Sequence, residues 1–402
     1  MDSLHQKFQP IFDRIAAGAA EREQTRTLPF EQIGWLRDSG FTALRVPAEY
    51  GGSGIRLPEF YELLIRLSAA DPNLPQALRS HISLIEFHLA EPQGELTEWY
   101  LAEAGRGKIF GNGVTEPGAG FSGGFRTRIT DGEGGAVLNG EKFYSTGTLY
   151  ADYIAVAAGY RDEACVYAVV AADHPGVERL DDWNGFGQRL TASGTTRFKD
   201  VPVISRNFLR FGGASETFMT AQFQLILLSC LAGIAEAAVL DASEYVRGRK
   251  RSFSHGLADL PRDDAMVQQV VGRVSSLAFA AKHTVLAAVA SLEHALATMA
   301  QHDEQTTYRA LTKAELDAQQ AQIVVADLVL EATTRMFEVG GASAVDRGLN
   351  LDRHWRNART VSAHNPTIYK ERSVGDFRIN GTTPVYEWSV GVAAARAVAV
   401  PQ

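Results

Sequence analysis

Cysteine is scarce: two in 402 residues, Cys165 and Cys230, both in apolar stretches, EACVYAVV and LILLSCLAGI. In such settings a thiol behaves as a small hydrophobe, which argues against a disulfide frame and a zinc centre. Basic charge is also short. Thirty-nine Lys and Arg against 47 Asp and Glu leave a net charge of −8, whereas a surface that tracks phosphates needs clustered cations in excess. The sequence therefore predicts no nucleic-acid partner, and its one dense basic run, RGRKRS at 247–252, suits a single phosphate group or a solvated helix end. No basic start followed by an apolar block opens the chain, and no apolar run is read as approaching the roughly 20 residues of a membrane span. The expectation is a cytoplasmic protein with no membrane partner.

Catalytic signatures are missing as well. A Ser-His-Asp hydrolase wants its nucleophile on a G-x-S-x-G elbow, and neither STGT nor FSGG supplies one. GAGFSG at 118–123 matches G-x-G-x-x-G letter for letter, but a strand-like stretch follows where a dinucleotide fold needs a helix. What it retains is a Gly-rich loop whose amides can approach a ligand closely. His81 and His88 lie seven apart, two helical turns, where metal pairs on helices are three or four apart; no metal is expected.

What the chain does contain is a change of period, twice. Helical spacing runs from residue 5 to about 108, as in EFYELLIRLSAAD, with Pro29 suited to a first helical turn and Gly40 to a C-terminal cap. Alternation takes over in FRTRITDGEGGAVLNGEKFYSTG, a hairpin pattern around a Gly-rich turn, and short β-rich runs separated by turn residues follow in DYIAVAAGY, CVYAVVAAD and TTRFKDVPVI. Long Ala-rich helical stretches return after about 215. The fold class is α+β, with an N-terminal helical domain at 1–110, a β domain at 111–212 and a C-terminal helical bundle at 213–402.

This order, with VTEPGAG opening the β domain, resembles the acyl-CoA dehydrogenase fold family. NGEKFYSTGTLYADYIAVAA, GFGQRLTASGTTRFKDVPV and FEVGGASAVDRGLNLDRHWRNAR fall in the family's order and span most of the chain. The resemblance implies a barrel-like middle domain, a C-terminal four-helix bundle, a flavin ring held between the two, and usually a tetramer. It also implies that Thr115, in the loop resembling TEPGAGS, meets the flavin pyrimidine edge. Tyr144, Ser145 and Thr146 stand where the family has Trp-Ile-Thr beside the central ring. Thr146 thus keeps its role, and Ser145 puts a hydroxyl next to the reactive face.

True dehydrogenases of the family carry a glutamate base after their RDA motif. Aligned without gaps on Arg356-Asn357-Ala358, this chain has His364-Asn365-Pro366 there, and an amide takes no proton at neutral pH. DRHWRNARTVSAHNPTIYK instead resembles the flavin-dependent monooxygenase branch, of the dibenzothiophene monooxygenase, sulfur-acquisition oxygenase and amine N-hydroxylase type. That branch uses reduced FMN from a separate NAD(P)H:flavin reductase and O2, through a C4a-hydroperoxyflavin, on small apolar sulfur or nitrogen compounds. FAD is the other cofactor the fold accepts.

By this resemblance His364 donates to the distal oxygen, with an ordinary pKa of about 6.5 that lets it exchange a proton near neutrality. Asn112, Ser145 and His81 line the same pocket, with His88 as the alternative to His81. Asn365 and Trp183 flank the flavin. Arg251, in preference to Arg249, meets a flavin phosphate from the basic run. The competing reading is an FAD-dependent acyl-CoA dehydrogenase whose base sits on another helix.

Overall fold

The computed structural model describes residues 2–91, 94–116, 125–207, 217–301 and 303–386. Seven helices come first: α1 Asp2–Ala17, α2 Ala19–Thr25, α3 Phe30–Asp38, α4 Leu57–Ala70, α5 Asn73–Ala77, α6 Arg79–Ala90 and α7 Glu95–Gly105. Pro29 takes the N-cap of α3, and Gly40, one residue past the C-cap, adopts the left-handed φ of +78° that only glycine enters freely.

Eight strands follow: β1 Phe110–Gly113, β2 Arg128–Gly132, β3 Gly135–Lys142, β4 Tyr153–Tyr160, β5 Glu163–Ala171, β6 Val177–Arg179, β7 Thr196–Pro202 and β8 Ser205–Asn207. β2 and β3 form the expected hairpin, with Gly132 opposite Gly135 across a two-residue turn. The sheet runs β6-β7-β3-β2-β4-β5-β8, and β1 joins it in parallel on β4. β6 and β8 end the path without pairing to each other among the described residues.

β4 reads as a continuous apolar run because both its faces are covered. Ile154, Val156, Ala158 and Tyr160 pack into the core of the sheet, while Ala155 faces a second cluster with Phe110, Val169, Tyr100 and Ile85. That second cluster fixes α6 and α7 against the sheet, and so sets where the start of α6 points.

Five helices follow among the described residues: α8 Met219–Gly248, α9 Ala265–Met299, α10 Glu304–Arg335, α11 Asp352–Ser362 and α12 Thr367–Asn380. α4 packs against α8 and α9, so one hydrophobic core runs through both helical segments. The approach is close at Gly233 of α8, where an added Cβ would stand 2.4 Å from the Ile65 carbonyl oxygen. Ser68 Oγ donates to the Cys230 carbonyl at 2.7 Å across the same contact.

α8 corrects one sequence expectation. It is long and apolar enough to cross a membrane, yet 78% of its most apolar window is buried inside the fold. Its hydrophobicity belongs to a helix covered on several sides.

Candidate functional site

A wall of the site is built from two turns of the β domain that are bonded to each other. Tyr144 leaves β3 with a φ of +56°, a strained conformation for a bulky residue that costs about 1 kcal/mol or more. The cost is offset by backbone bonds from Ser145 N to Gly194 O, 3.1 Å, and from Gly147 N to Thr191 O, 3.0 Å. Thr146, Ser193 and Thr191 join their hydroxyls in a chain with two 2.8 Å links. Gly147, at φ +82°, presses on α5, where an added Cβ would lie 2.1 Å from the Ala77 carbonyl oxygen. The backbone here turns Ser145 inward. Its side chain is fully buried and its Oγ has no partner.

Thr115 is exposed at the edge of this wall, its carbonyl accepting from Phe143 N at 2.8 Å. The next residue anchors the turn. Glu116 Oε1 accepts from Lys142 Nζ and Thr127 N, and Oε2 from Arg126 N, each at 2.8 Å. Burial opposes charge on Glu116, but these bonds prevail and hold its carboxyl at about 2. Burial outweighs Glu116 at Lys142 and lowers the amine to about 8, so the pair is ionised at neutral pH. The Gly-rich stretch at 118–123 lies outside the described residues.

Trp183 is half-buried, donates from Nε1 to the Gln188 carbonyl at 2.9 Å, and stands edge-on to Tyr144 with ring centroids 5.9 Å apart. Gln188 holds the wall to α11, its N–H donating to Asn357 Oδ1 at 2.5 Å. Both polar atoms of its buried side chain lack partners, as do Thr360 Oγ1 and Asn112 Oδ1. An unpaired buried polar atom costs about 1 to 3 kcal/mol, so each of these atoms is available to a ligand that would pair it. Gln188 and Thr360 were not singled out from sequence, although both lie inside the motifs GFGQRL and RNART.

The other wall is the corner between α11 and α12. α11 is fixed by Asp241, which takes bonds from His354, 2.8 Å, and from Arg353, and by Arg356 on Glu23, 2.9 Å. Burial opposes charge on Asp241, but His354 and Arg353 draw its carboxyl down to about 2. At the corner, Asn365 donates from Nδ2 to Gln224 Oε1, 2.9 Å, and its carbonyl accepts from Gln322 Nε2, 2.8 Å. One amide N–H is given to α8 and the main-chain carbonyl to α10, so Asn365 braces the corner.

His364 meets Arg79, with Nη2 3.2 Å from Nε2. A guanidinium only donates, so Nε2 accepts and the ring proton sits on Nδ1. His364 keeps accessible surface on the cleft wall. Desolvation there and the Arg79 charge both push its pKa below the ordinary value, against a side-chain hydrogen bond with Asn365, and the adjacent cation secures that direction. Both influences favour the neutral ring, which leaves Nδ1 as the protonated nitrogen beside Arg79.

His81 is placed differently from expectation. It is fully buried, its Nδ1 accepting from Phe110 N at 3.4 Å and its Nε2 donating to the Thr42 carbonyl at 3.0 Å, with the ring stacked on Phe110. Burial, partly offset by the bond to Thr42, lowers it to about 4. His88, also buried, stacks on Tyr100 at 3.9 Å and is lowered by burial to about 3. Both are core histidines. Residues 79 and 81 differ by about 200° around a helix, so with His81 turned to the core it is Arg79 that meets the cleft.

Arg251 is not brought to this site within one chain. Asn365 bonds Gln224 in the first turns of α8, and 24 helical residues, about 36 Å, separate Gln224 from the end of that helix before Arg251. Arg249 is spent on the Gly340 carbonyl, 2.7 Å, and Tyr245 OH, 3.2 Å, whereas Arg251 is exposed.

Comparison with known proteins agrees with this architecture. The N-terminal, middle and C-terminal domains of the acyl-CoA dehydrogenase family match residues 9–103, 111–201 and 225–367. The chain is 28% identical over 400 residues to a dibenzothiophene monooxygenase of Rhodococcus erythropolis, covering 92% of this chain and 94% of that protein. It is 26% identical over 386 residues to a probable FMNH2-dependent monooxygenase of Pseudomonas putida, covering 92% and 93%. Among solved structures, the complex of TdsC from Paenibacillus with FMN and indole superimposes with a TM-score of 0.85 at 25% identity, covering 95% of this chain and 99% of that one. The chain belongs to the acyl-CoA dehydrogenase fold family, in its flavin-dependent monooxygenase branch.

Proposed function

We propose that this protein oxygenates a small sulfur- or nitrogen-containing molecule with reduced FMN and O2, at the cleft between the Tyr144–Thr146 turn and the α11–α12 corner. One observation carries the reading. Where a dehydrogenase of this family holds its glutamate, this chain holds Asn365, braced by Gln224 and Gln322, next to a neutral His364. No group at that corner removes a substrate proton, whereas a neutral N–H and a buried hydroxyl suit an oxygen acceptor.

The residues fit a flavin. An isoalloxazine edge offers carbonyl oxygens and ring nitrogens, and the unpartnered atoms of Ser145, Gln188, Thr360 and Asn112 are neutral donors and acceptors. When bound, the reduced flavin supplies the two electrons that put one oxygen atom into the substrate and release the other as water. Ser145 and His364 hold hydrogen-bond donors toward that chemistry. Asn365 and Arg79 orient His364, and the hydroxyl chain of Thr146, Ser193 and Thr191 keeps the ring wall rigid. Thr115 and Trp183 border the ring, and Arg251 is left for a flavin phosphate bound by a second copy of the chain.

Reduced FMN reaches the site from a separate NAD(P)H-dependent reductase, and the protein works in the cytoplasm as a homotetramer. Support for the assembly comes from α9, whose most apolar window is only 39% buried and which leaves Phe279 and Met266 exposed. The test supplies protein, FMN, NADH, a flavin reductase and 18O2 to a panel of organic sulfides and amines. One labelled oxygen per product molecule is expected. Bleaching of an FAD-loaded sample by an acyl-CoA, with no label in any product, would replace this reading with the dehydrogenase.

A further inference from the structure

Arg22, Arg45 and Arg356, all sunken in the fold, each have a carboxylate: Asp71 at 3.0 Å, Glu86 at 2.6 Å and Glu23 at 2.9 Å. Arg79 is treated differently. It opens α6, lies 5.6 Å over the Phe223 ring and bonds only the neutral His364, while its Nε is buried with no partner. Among the described residues no ion pair forms at Arg79, and the buried Cys230 thiol near it is itself held neutral by burial. Burial lowers its pKa to about 10, so it remains a cation at neutral pH.

A desolvated guanidinium without a counter-ion destabilises the fold. The partners Arg79 does have, the Phe223 ring and His364, are neutral and supply no counter-charge. Ser83, four residues on and so on the same face of α6, also buries a hydroxyl oxygen without a partner. The first turn of α6 carries no acidic residue to quench its positive end. Arg79 and Ser83 thus put a guanidinium and a hydroxyl on one face of the start of α6, and the fork geometry of the guanidinium suits a compact oxyanion.

We infer that Arg79 determines specificity: the substrate is a small organic molecule with an oxyanion end, a sulfonate, sulfinate or carboxylate, which Arg79 and Ser83 hold while the apolar body lies along Phe223. This rests on the oxygenase reading above and names its substrate class. The sulfur or nitrogen to be oxygenated is then presented at a fixed distance from the charged end, beside His364.

The test is calorimetric titration of the protein, with saturating oxidised FMN, by ethanesulfonate, butyrate and the neutral isostere diethyl sulfone. The anions are expected to bind about 10-fold or more tightly than the sulfone. Whichever of sulfonate and carboxylate binds better identifies the headgroup. Arg79→Met should abolish the preference and Arg79→Lys restore part of it. Arg79→Met should also melt no lower than the wild type, because it removes an uncompensated charge; an arginine kept for structure would lower the melting point. Equal binding of sulfone and anions by the wild type, or an anion preference that survives in Arg79→Met, overturns the assignment. Labelled oxygen from 18O2 in wild-type product, alongside indifference to anions, would sink the Arg79 inference alone.

Discussion

Replacing Ser145 with Ala separates a ligand-facing hydroxyl from a structural one. Ser145 is fully buried, its N–H is used by the Gly194 carbonyl, and its Oγ bonds nothing. Taking a hydroxyl out of water without a partner costs about 1 to 3 kcal/mol, and alanine avoids it. The Cβ remains, so the cavity left is about one oxygen atom in size and its penalty is small. The variant should therefore be as stable as the wild type, or more stable by up to about 1 kcal/mol. With reduced FMN bound, the balance reverses. A neutral hydrogen bond contributes about 0.5 to 1.5 kcal/mol, which converts to about 2- to 12-fold weaker binding. The assays are urea unfolding of the flavin-free protein and anaerobic titration with reduced FMN. A stability loss above about 1 kcal/mol with unchanged flavin affinity would refute the reasoning, because it would assign the hydroxyl to the fold.

His364→Ala should cut labelled-oxygen incorporation at least about 100-fold while flavin affinity changes little, in line with the loss of a positioned donor; loss of flavin binding would give His364 a different role. Because burial and Arg79 hold His364 neutral, the pH profile of turnover should carry no limb from it between pH 6 and 8. Lysine or arginine chemistry aside, Glu116→Gln should cost about 3 to 5 kcal/mol in urea unfolding, since it strands the fully buried Lys142. Acid stability should follow the core histidines: with His88 lowered to about 3, the unfolded chain binds a proton below about pH 6.5 that the folded chain refuses. Stability then falls with pH, by about 2 kcal/mol between pH 6.5 and 5 for that residue, and His88→Phe should recover most of it in unfolding curves at the two pH values.

The sequence periodicity carried the fold, because it depends on spacing that every residue in a segment shares. The β2–β3 hairpin follows from alternation and turn residues alone. Side-chain partners are another matter. Arg79 and His81 differ by two positions on one helix, and residue type cannot say which of their faces meets the cleft; the clustering of Phe110, Tyr100 and Ile85 decides it. The brace role of Asn365 depends on Gln224 and Gln322, 141 and 43 residues away. α8 shows the same limit for burial: its composition matches a membrane span, and only the packing of α4 and its neighbours makes it a core helix. The inward turn of Ser145 rests on a positive φ at Tyr144 that its sequence does not announce.

The most direct test mixes anaerobic protein and reduced FMN with oxygenated buffer and records absorbance from milliseconds to minutes. A protein-dependent species, distinct from both reduced and oxidised FMN and shortened in lifetime by His364→Ala or Ser145→Ala, is the predicted result. Direct conversion to oxidised FMN at the rate seen without protein would contradict the account.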